Sequence, residues 1–283
     1  MSLAHGAEHK LALVHERLTQ LADKGRFALA FSGGLDSRFL AHTAQLAGLE
    51  PVLLHAQGPH MALREHIFAQ TWAQEHRFAC HTVPVNPLEV PEVAANSRMR
   101  CYHCKHFLFS ALLHTAGGLP LLDGTQASDA CAYRPGIVAL RELGIISPLA
   151  DAGLTKAEIR ALAAATAMTF PQQQARPCLL TRFAYDLRPD EKTLAGLARA
   201  EEGIESVLRL CTLSGDKEIP DFRLRMTQHG TELHIRLHTD VETGGVPAGM
   251  KKHLEILVRA ATGTPLACIR IMPSLSGFFD RTT

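Results

Sequence analysis

Three sets of residues in this chain have the types and spacing to do chemistry. The first is Ser32-Gly33-Gly34-Leu35-Asp36-Ser37. Adjacent glycines let a backbone turn tightly, so that several N–H groups can face an anion at the start of a helix. The hydroxyls of Ser32 and Ser37 add donors. Asp36 would repel a phosphate bound alone, but it fits a Mg²⁺ ion bridging it to the phosphates. The hexamer predicts a phosphate loop rather than a plain strand-to-helix turn.

The second set is thiol. The spacing Cys101-x-x-Cys104 suits a metal pair, a redox pair or two buried thiols. There is no second Cys-x-x-Cys to complete a four-thiolate zinc site, and a thioredoxin-like pair would have to follow the first strand. Cys178, beside Pro177 and before Thr181-Arg182, falls in a loop after the last helix of an α/β pattern. Ligands gather in such loops, so Cys178 is a candidate nucleophile or ligand. Cys80, Cys131, Cys211 and Cys268 read as structural.

The third set is cationic. Arg223 and Arg225 alternate with Phe222, Leu224 and Met226; His234, Arg236 and His238 alternate with Leu233, Ile235 and Leu237. Asp221 and Glu232 are in phase with these cations only at the strand ends. The middle of the face should therefore repel itself unless an anion binds. Beyond these sets, Asp123 and Asp129 near a Gly-Thr turn suit either turn chemistry or a reach toward Mg²⁺ and nucleotide. Arg134 and Lys156 are placed to touch phosphate or substrate. A lysine opening a helix is unfavourable to the helix dipole unless an anion lies there.

Elements must hold these groups in place. Residues 3–23 have helical apolar spacing, and Phe27–Phe31 is a buried strand feeding the glycine turn. Helices are expected over 38–48, 61–77 and 105–115, and strands at Pro51–Leu54, Cys80–Val85, Leu119–Leu122 and Ile145-Ile146. Thr155 with Glu158 makes a capping box for a helix to Ala165. This alternation means βαβ units and a parallel sheet. After about residue 185 the pattern changes. A helix is expected from Pro189 to Leu210, then two antiparallel strands around Gly230, a helix over 249–261 and a strand at Leu266–Ile271. The domain boundary is placed near 187.

Composition narrows the function classes. The chain has 283 residues, with 46% hydrophobic and 20% charged, which excludes a disordered chain. A net charge of +1 gives no basic field of the kind that attracts nucleic acid, so no nucleic-acid partner is expected. No stretch approaches the ~20 apolar residues of a membrane helix, so no membrane partner is expected either. The first ten residues lack a signal-peptide layout, so the expected location is cytoplasmic. There the seven cysteines would be reduced, and the odd number favours metal or catalytic chemistry over a disulfide framework.

The hexamer resembles the PP-loop of the N-type ATP pyrophosphatases. Further segments narrow the resemblance to LarE-like ATP-dependent sulfur transferases. They are Arg100–Lys105, Asp123-Gly124-Thr125, Arg134-Pro135-Gly136, Ser147-Pro148-Leu149, Gly153–Arg160, Pro177–Arg182 and Arg223-Leu224-Arg225, in family order over residues 25 to 238. The chain departs from the pattern at Arg38, where a small hydroxyl residue is more usual. Gln126 replaces Asn, Tyr185-Asp186 replaces Tyr-Gly, and Arg236 stands where an acidic residue is expected.

The resemblance implies a Rossmann-like α/β domain carrying the PP-loop over 1–187. A smaller α+β domain over 188–283 would serve substrate binding and association into a homo-oligomer. It implies ATP and Mg²⁺ held by Ser32, Gly33, Gly34, Asp36, Ser37, Gly124, Asp129 and Lys156, and a nucleotide-like small-molecule substrate held by Arg134, Arg182, Arg223 and Arg225. Cys178 matches the sulfur-bearing position, with Asp36 the other catalytic residue. With Cys101 and Cys104 it would hold a 4Fe–4S cluster, or alone it would give up its own sulfur. The implied reaction adenylates a substrate carboxylate and replaces AMP by sulfur, giving a thiocarboxylate. The implied substrate is a pyridinium dicarboxylate mononucleotide on the route to a nickel-pincer cofactor. Three rivals stand beside this reading: a tRNA thiolase, an ammonia-using PP-loop ligase and a non-enzymatic nucleotide sensor.

Overall fold

The structure is a computed structural model that describes residues 2–22, 26–129, 135–174, 176–212, 220–236 and 248–281. Cys131, Arg134, Leu237 and His238 lie outside the described residues, as does the side chain of Cys211. The chain divides into two units, each with its own sheet. The first comprises Met1–Gly58, Leu63–Val93 and Met99–Arg176, and the second Pro59–Ala62, Ala94–Arg98 and Pro177–Thr283.

The chain runs through α1 (Ser2–Ala22), β1 (Ala28–Ala30), α2 (Leu35–Leu46), β2 (Val52–Gln57), α3 (Leu63–Glu75) and β3 (Cys80–Pro84). There follow α4 (Pro91–Ala94), α5 (Arg100–Ala116), β4 (Leu121–Leu122), α6 (Pro135–Glu142), α7 (Pro148–Asp151) and α8 (Lys156–Ala165). The four strands are all parallel in the order β3-β2-β1-β4. Successive strand residues point to opposite faces, and the two faces feed two cores. Leu29, Leu53 and Leu122 join Val14 and Leu18 of α1, Phe39 and Leu40 of α2 and Trp72 of α3. Ala28, Leu54 and Leu121 join Leu112 and Ala116 of α5. Helices therefore cover both faces, as the near-continuous apolar strands require.

Ile145-Ile146, expected as a fifth strand, contributes a single parallel bridge from Ile146 to Leu122. β4 offers only two residues to pair with, and Pro148 opens α7 two residues later. The strand order places β2 on one side of β1 and β4 on the other. The carboxyl ends of β1 and β4 thus flank the switch point, where α/β sheets leave a crevice for ligands.

In the second unit, α9 (Glu191–Thr212) precedes β5 (Asp221–Thr227), β6 (Gly230–Arg236), α10 (Ala248–Thr262), β7 (Leu266–Ile271) and α11 (Phe278–Arg281). β5 and β6 pair antiparallel, and β7 adds parallel to β6. Asp190 starts α9 by accepting the Thr193 N–H at 2.7 Å, so Pro189 stands just outside the helix rather than in its first turn. Among the described residues, no helix is long and apolar enough to cross a membrane.

Candidate functional site

The glycine turn at the end of β1 is built as its spacing predicts. Gly33 has φ +73°, and a Cβ there would sit 2.7 Å from Ala69 Cβ on α3, so both conformation and contact demand glycine. Gly34 is the N-cap of α2 and makes no side-chain hydrogen bond to the helix. The first N–H groups of α2 have no intrahelical partner and carry the positive end of its dipole. Ser32 is exposed, and its Oγ accepts from Gly34 N at 3.3 Å and lies 3.2 Å from Ser37 Oγ. The hydroxyl of Ser37 also donates to Gly34 O at 3.1 Å.

β4 brings a second strand end beside this turn. A Cβ on Gly124 would lie 2.8 Å from Ser37 N and 3.0 Å from the Asp36 carbonyl carbon, so the backbone after β4 rests directly on the first turn of α2. Asp123 holds that contact. Buried, it accepts from Ser147 Oγ at 2.6 Å and from Thr125 Oγ1, and so braces the turn rather than facing a ligand.

Asp36 points toward α8. Lys156 Nζ donates to both its oxygens at 2.7 Å. The anion that makes a lysine tolerable at this helix start is therefore Asp36 itself. Burial pushes the Asp36 pKa above the ordinary value. The Lys156 charge opposes the shift, Asp129 adds to it, and Arg160 opposes it. Asp129 is thus close enough for its charge to be felt, and its carboxylate accepts from Gln126 N at 3.3 Å. Two carboxylates beside this glycine turn have the chemistry to hold a divalent cation. Arg160 lies one turn beyond Lys156 on α8. That i, i+4 spacing is the sequence signal that could have added it to the site.

Two features behind the loop escaped the sequence reading. Arg38 is wholly buried under the turn. His55 and His66 form a buried chain: His55 Nδ1 lies 2.8 Å from Phe31 O, and His55 Nε2 lies 2.8 Å from His66 Nδ1. Nothing in their separation by eleven residues announces the pair, which needs β2 and α3 side by side.

The Cys101–Cys104 pair sits in the first turn of α5, which starts at Arg100 rather than at 105. The i, i+3 spacing puts both thiols on one helix face, Cys101 exposed and Cys104 buried. The pair fits as two ligands of a metal cluster. Cys178 belongs to the second unit and is half-buried. Its carbonyl accepts from Thr181 N at 3.1 Å and Thr181 Oγ1 at 2.7 Å, which fixes the turn over Leu179–Arg182. Among the described residues, no group of three or more His, Cys, Asp or Glu side chains is gathered to hold a metal ion.

The cationic strand face differs from expectation. Arg225, Glu232 and His234 are buried, so β5 and β6 have no solvated face there. Glu232 stands directly across from Arg225 rather than at a strand end, lies 2.8 Å from His234 Nε2 and pairs with Arg270 at 3.0 Å. Asp221 stands across from Arg236 and binds it. The face supplies its own counter-charges once the hairpin register is formed. Arg225 donates to Thr181 O at 2.7 Å and to Leu275 O, beneath the rings of Phe278 and Phe279. Arg182 is buried in a forked pair with Glu201, at 2.7 and 3.0 Å. Arg223 is half-buried and donates to Phe222 O at 2.6 Å.

The chain has recognisable relatives. An uncharacterised protein of Synechocystis sp. is 34% identical over 180 residues, covering 62% of this chain and 67% of that protein. A pyridinium-3,5-bisthiocarboxylic acid mononucleotide synthase of Lactiplantibacillus plantarum is 28% identical over 192 residues, 66% of this chain and 70% of the synthase. An uncharacterised protein of Methanocaldococcus jannaschii is 23% identical over 206 residues, 71% of this chain and 77% of its own length. No family model matches the chain.

Proposed function

The chain belongs to the LarE-like family of PP-loop proteins, and from that premise we propose that it is an ATP-dependent sulfur transferase. It splits ATP between the α and β phosphates, joins AMP to a substrate carboxylate, and lets sulfur displace the AMP to leave a thiocarboxylate. The observation that carries this reading is the phosphate loop. The glycine turn at the switch point leads into the first turn of α2, whose opening N–H groups have no intrahelical partner, with Asp36, Asp129 and Lys156 beside them. The name of the Lactiplantibacillus plantarum relative supports a pyridinium dicarboxylate mononucleotide as substrate.

The chain's own groups have definable work. The N–H groups of the loop and the hydroxyls of Ser32 and Ser37 hold the departing pyrophosphate and spread its charge. Asp36 and Asp129 would hold Mg²⁺, which when bound neutralises charge on the phosphates. Lys156 favours the ionised form of Asp36. Arg223, half-buried, takes the substrate phosphate, while Arg182 and Arg225, held by internal partners, position the elements around it. Cys101, Cys104 and Cys178 would hold a 4Fe–4S cluster, which when bound supplies sulfide for transfer. Cys178 giving up its own sulfur is the competing outcome.

Asp36→Asn tests the nucleotide half. Asp36 is partly exposed, so the variant should fold, bind Mg²⁺ poorly and release no pyrophosphate from ATP. Pyrophosphate release at the wild-type rate in this variant would remove the reading.

A further inference from the structure

Arg38 follows the phosphate loop directly, in the first turn of α2, with 0% of its side chain exposed. A guanidinium carries five donors and no acceptor. Here Nε donates to Gly33 O at 3.1 Å, Nη1 to Thr169 O at 2.7 Å, and Nη2 to Phe170 O at 3.1 Å and Gln173 Oε1 at 2.5 Å. Its carbon lies 5.3 Å from the ring centre of Phe68 and 5.8 Å from that of Trp72. Every one of these partners is neutral. Among the described residues no carboxylate pairs with Arg38, and burial alone shifts its pKa, down to about 10. It is therefore charged at neutral pH.

A buried charge without a counter-charge is costly, and a role limited to packing would be served at lower cost by an apolar side chain. What distinguishes the position is the carbonyl that Nε binds. In a trans peptide, C=O and the following N–H point in opposite directions. With Gly33 O turned inward to Arg38, the Gly34 N–H turns outward, where it meets the exposed Ser32 Oγ at 3.3 Å. A Cβ at Gly33 would run into Ala69 of α3, so the turn approaches α3 too closely for any other residue.

We propose that Arg38 is a positioning residue of the phosphate site. It pins the Gly33 carbonyl so that the loop's N–H groups face outward, and it places a permanent positive charge behind the loop, whose counter-charge is the β and γ phosphates of bound nucleotide. The inference rests on the nucleotide reading above and deepens it. The residue is one that the family pattern does not supply, since a small hydroxyl residue is more usual there.

The test is the ratio of ATP to AMP affinity, measured by calorimetry at two salt concentrations in the wild type, Arg38→Met and Arg38→Lys. Methionine keeps an unbranched stem against Phe68 and Trp72 but removes the charge. A charge acting on two further phosphates within a weakly screened site should change the ratio by about tenfold or more. Arg38→Met should weaken ATP about tenfold more than AMP, whereas Arg38→Lys, which keeps the charge, should hold the ratio within about threefold of wild type. A purely structural brace for residues 169–173 would weaken both ligands equally or lower only the melting temperature. An unchanged ratio in folded Arg38→Met overturns the proposal. If that variant does not fold, a tenfold fall of the ratio in Arg38→Lys overturns it, because the charge is still present. Wild-type protein that binds no ATP would instead sink the nucleotide reading, before any variant is compared.

Discussion

Glu201→Ala should be the most damaging single change in the second unit. Glu201 and Arg182 are both buried and joined by two hydrogen bonds, at 2.7 and 3.0 Å, and Glu201 Oε1 also accepts the Leu224 N–H at 3.1 Å. Removing the carboxylate leaves a buried guanidinium and a buried strand N–H without their acceptor. Breaking a buried pair from one side costs about 3–5 kcal/mol. Replacing both partners by apolar residues of similar size, Arg182→Met with Glu201→Leu, should cost much less, since such exchanges are often neutral. Urea unfolding of Arg182→Met, Glu201→Leu and their double completes the cycle, with Glu201→Ala measured beside it. Acid provides a second readout. Burial alone would raise the Glu201 pKa, but the Arg182 charge and hydrogen bonds, with Arg223 and the Leu224 N–H, hold it below the ordinary carboxylate value. A lowered folded-state pKa contributes stability that is present above the unfolded pKa and lost as pH falls through the folded one. Wild type should therefore weaken on acidification more steeply than the double variant. The reasoning is refuted if Glu201→Ala unfolds within about 1 kcal/mol of wild type, which is the scale of an exposed pair.

Other expectations concern the first unit and the thiols. Gly124→Ala places a methyl 2.8 Å from Ser37 N, a backbone atom that cannot step aside alone. Pyrophosphate release should fall about a hundredfold in kcat/KM, the effect of a small misplacement of reacting groups, and a fall of less than twofold would contradict the close approach. Lys156→Met removes a charge that lowers the Asp36 pKa, so that pKa rises further. The acid limb of the Mg²⁺-dependent rate should move to higher pH, and a shift to lower pH would reverse the assigned sign. If the three cysteines hold one cluster, Cys101→Ala, Cys104→Ala and Cys178→Ala should each lose iron and the broad visible absorption of anaerobically purified protein. Loss of sulfur transfer in Cys178→Ala alone, with spent protein about 34 Da lighter, would establish Cys178 as the donor instead.

The strand, glycine turn and helix start were legible because they are local, lying within ten positions with two glycines marking the turn. The parallel sheet was legible for the same reason, from short apolar runs separated by helical periods. What escaped depends on contacts between distant segments. Period two in β5 and β6 predicts a cationic face without counter-charges at its middle, but Leu275, Phe278 and Phe279 pack at Arg225, and the antiparallel register sets Glu232 against it. Arg38 stood out only as an unusual residue, because its acceptors at Thr169 and Phe170 are more than 130 residues away. Ile145-Ile146 has strand chemistry, but with β4 only two residues long it makes a single bridge.

The central claim is tested most directly by one balanced assay. Anaerobic protein is supplied with ATP, Mg²⁺, sulfide and a pyridinium dicarboxylate mononucleotide, and AMP, pyrophosphate and the organic product are quantified from the same tube. The account predicts AMP and pyrophosphate in equal amounts, with one of each for every oxygen exchanged for sulfur, and a product about 16 Da heavier per exchange. ADP and phosphate, or AMP and pyrophosphate formed with no sulfur in the product, would contradict it.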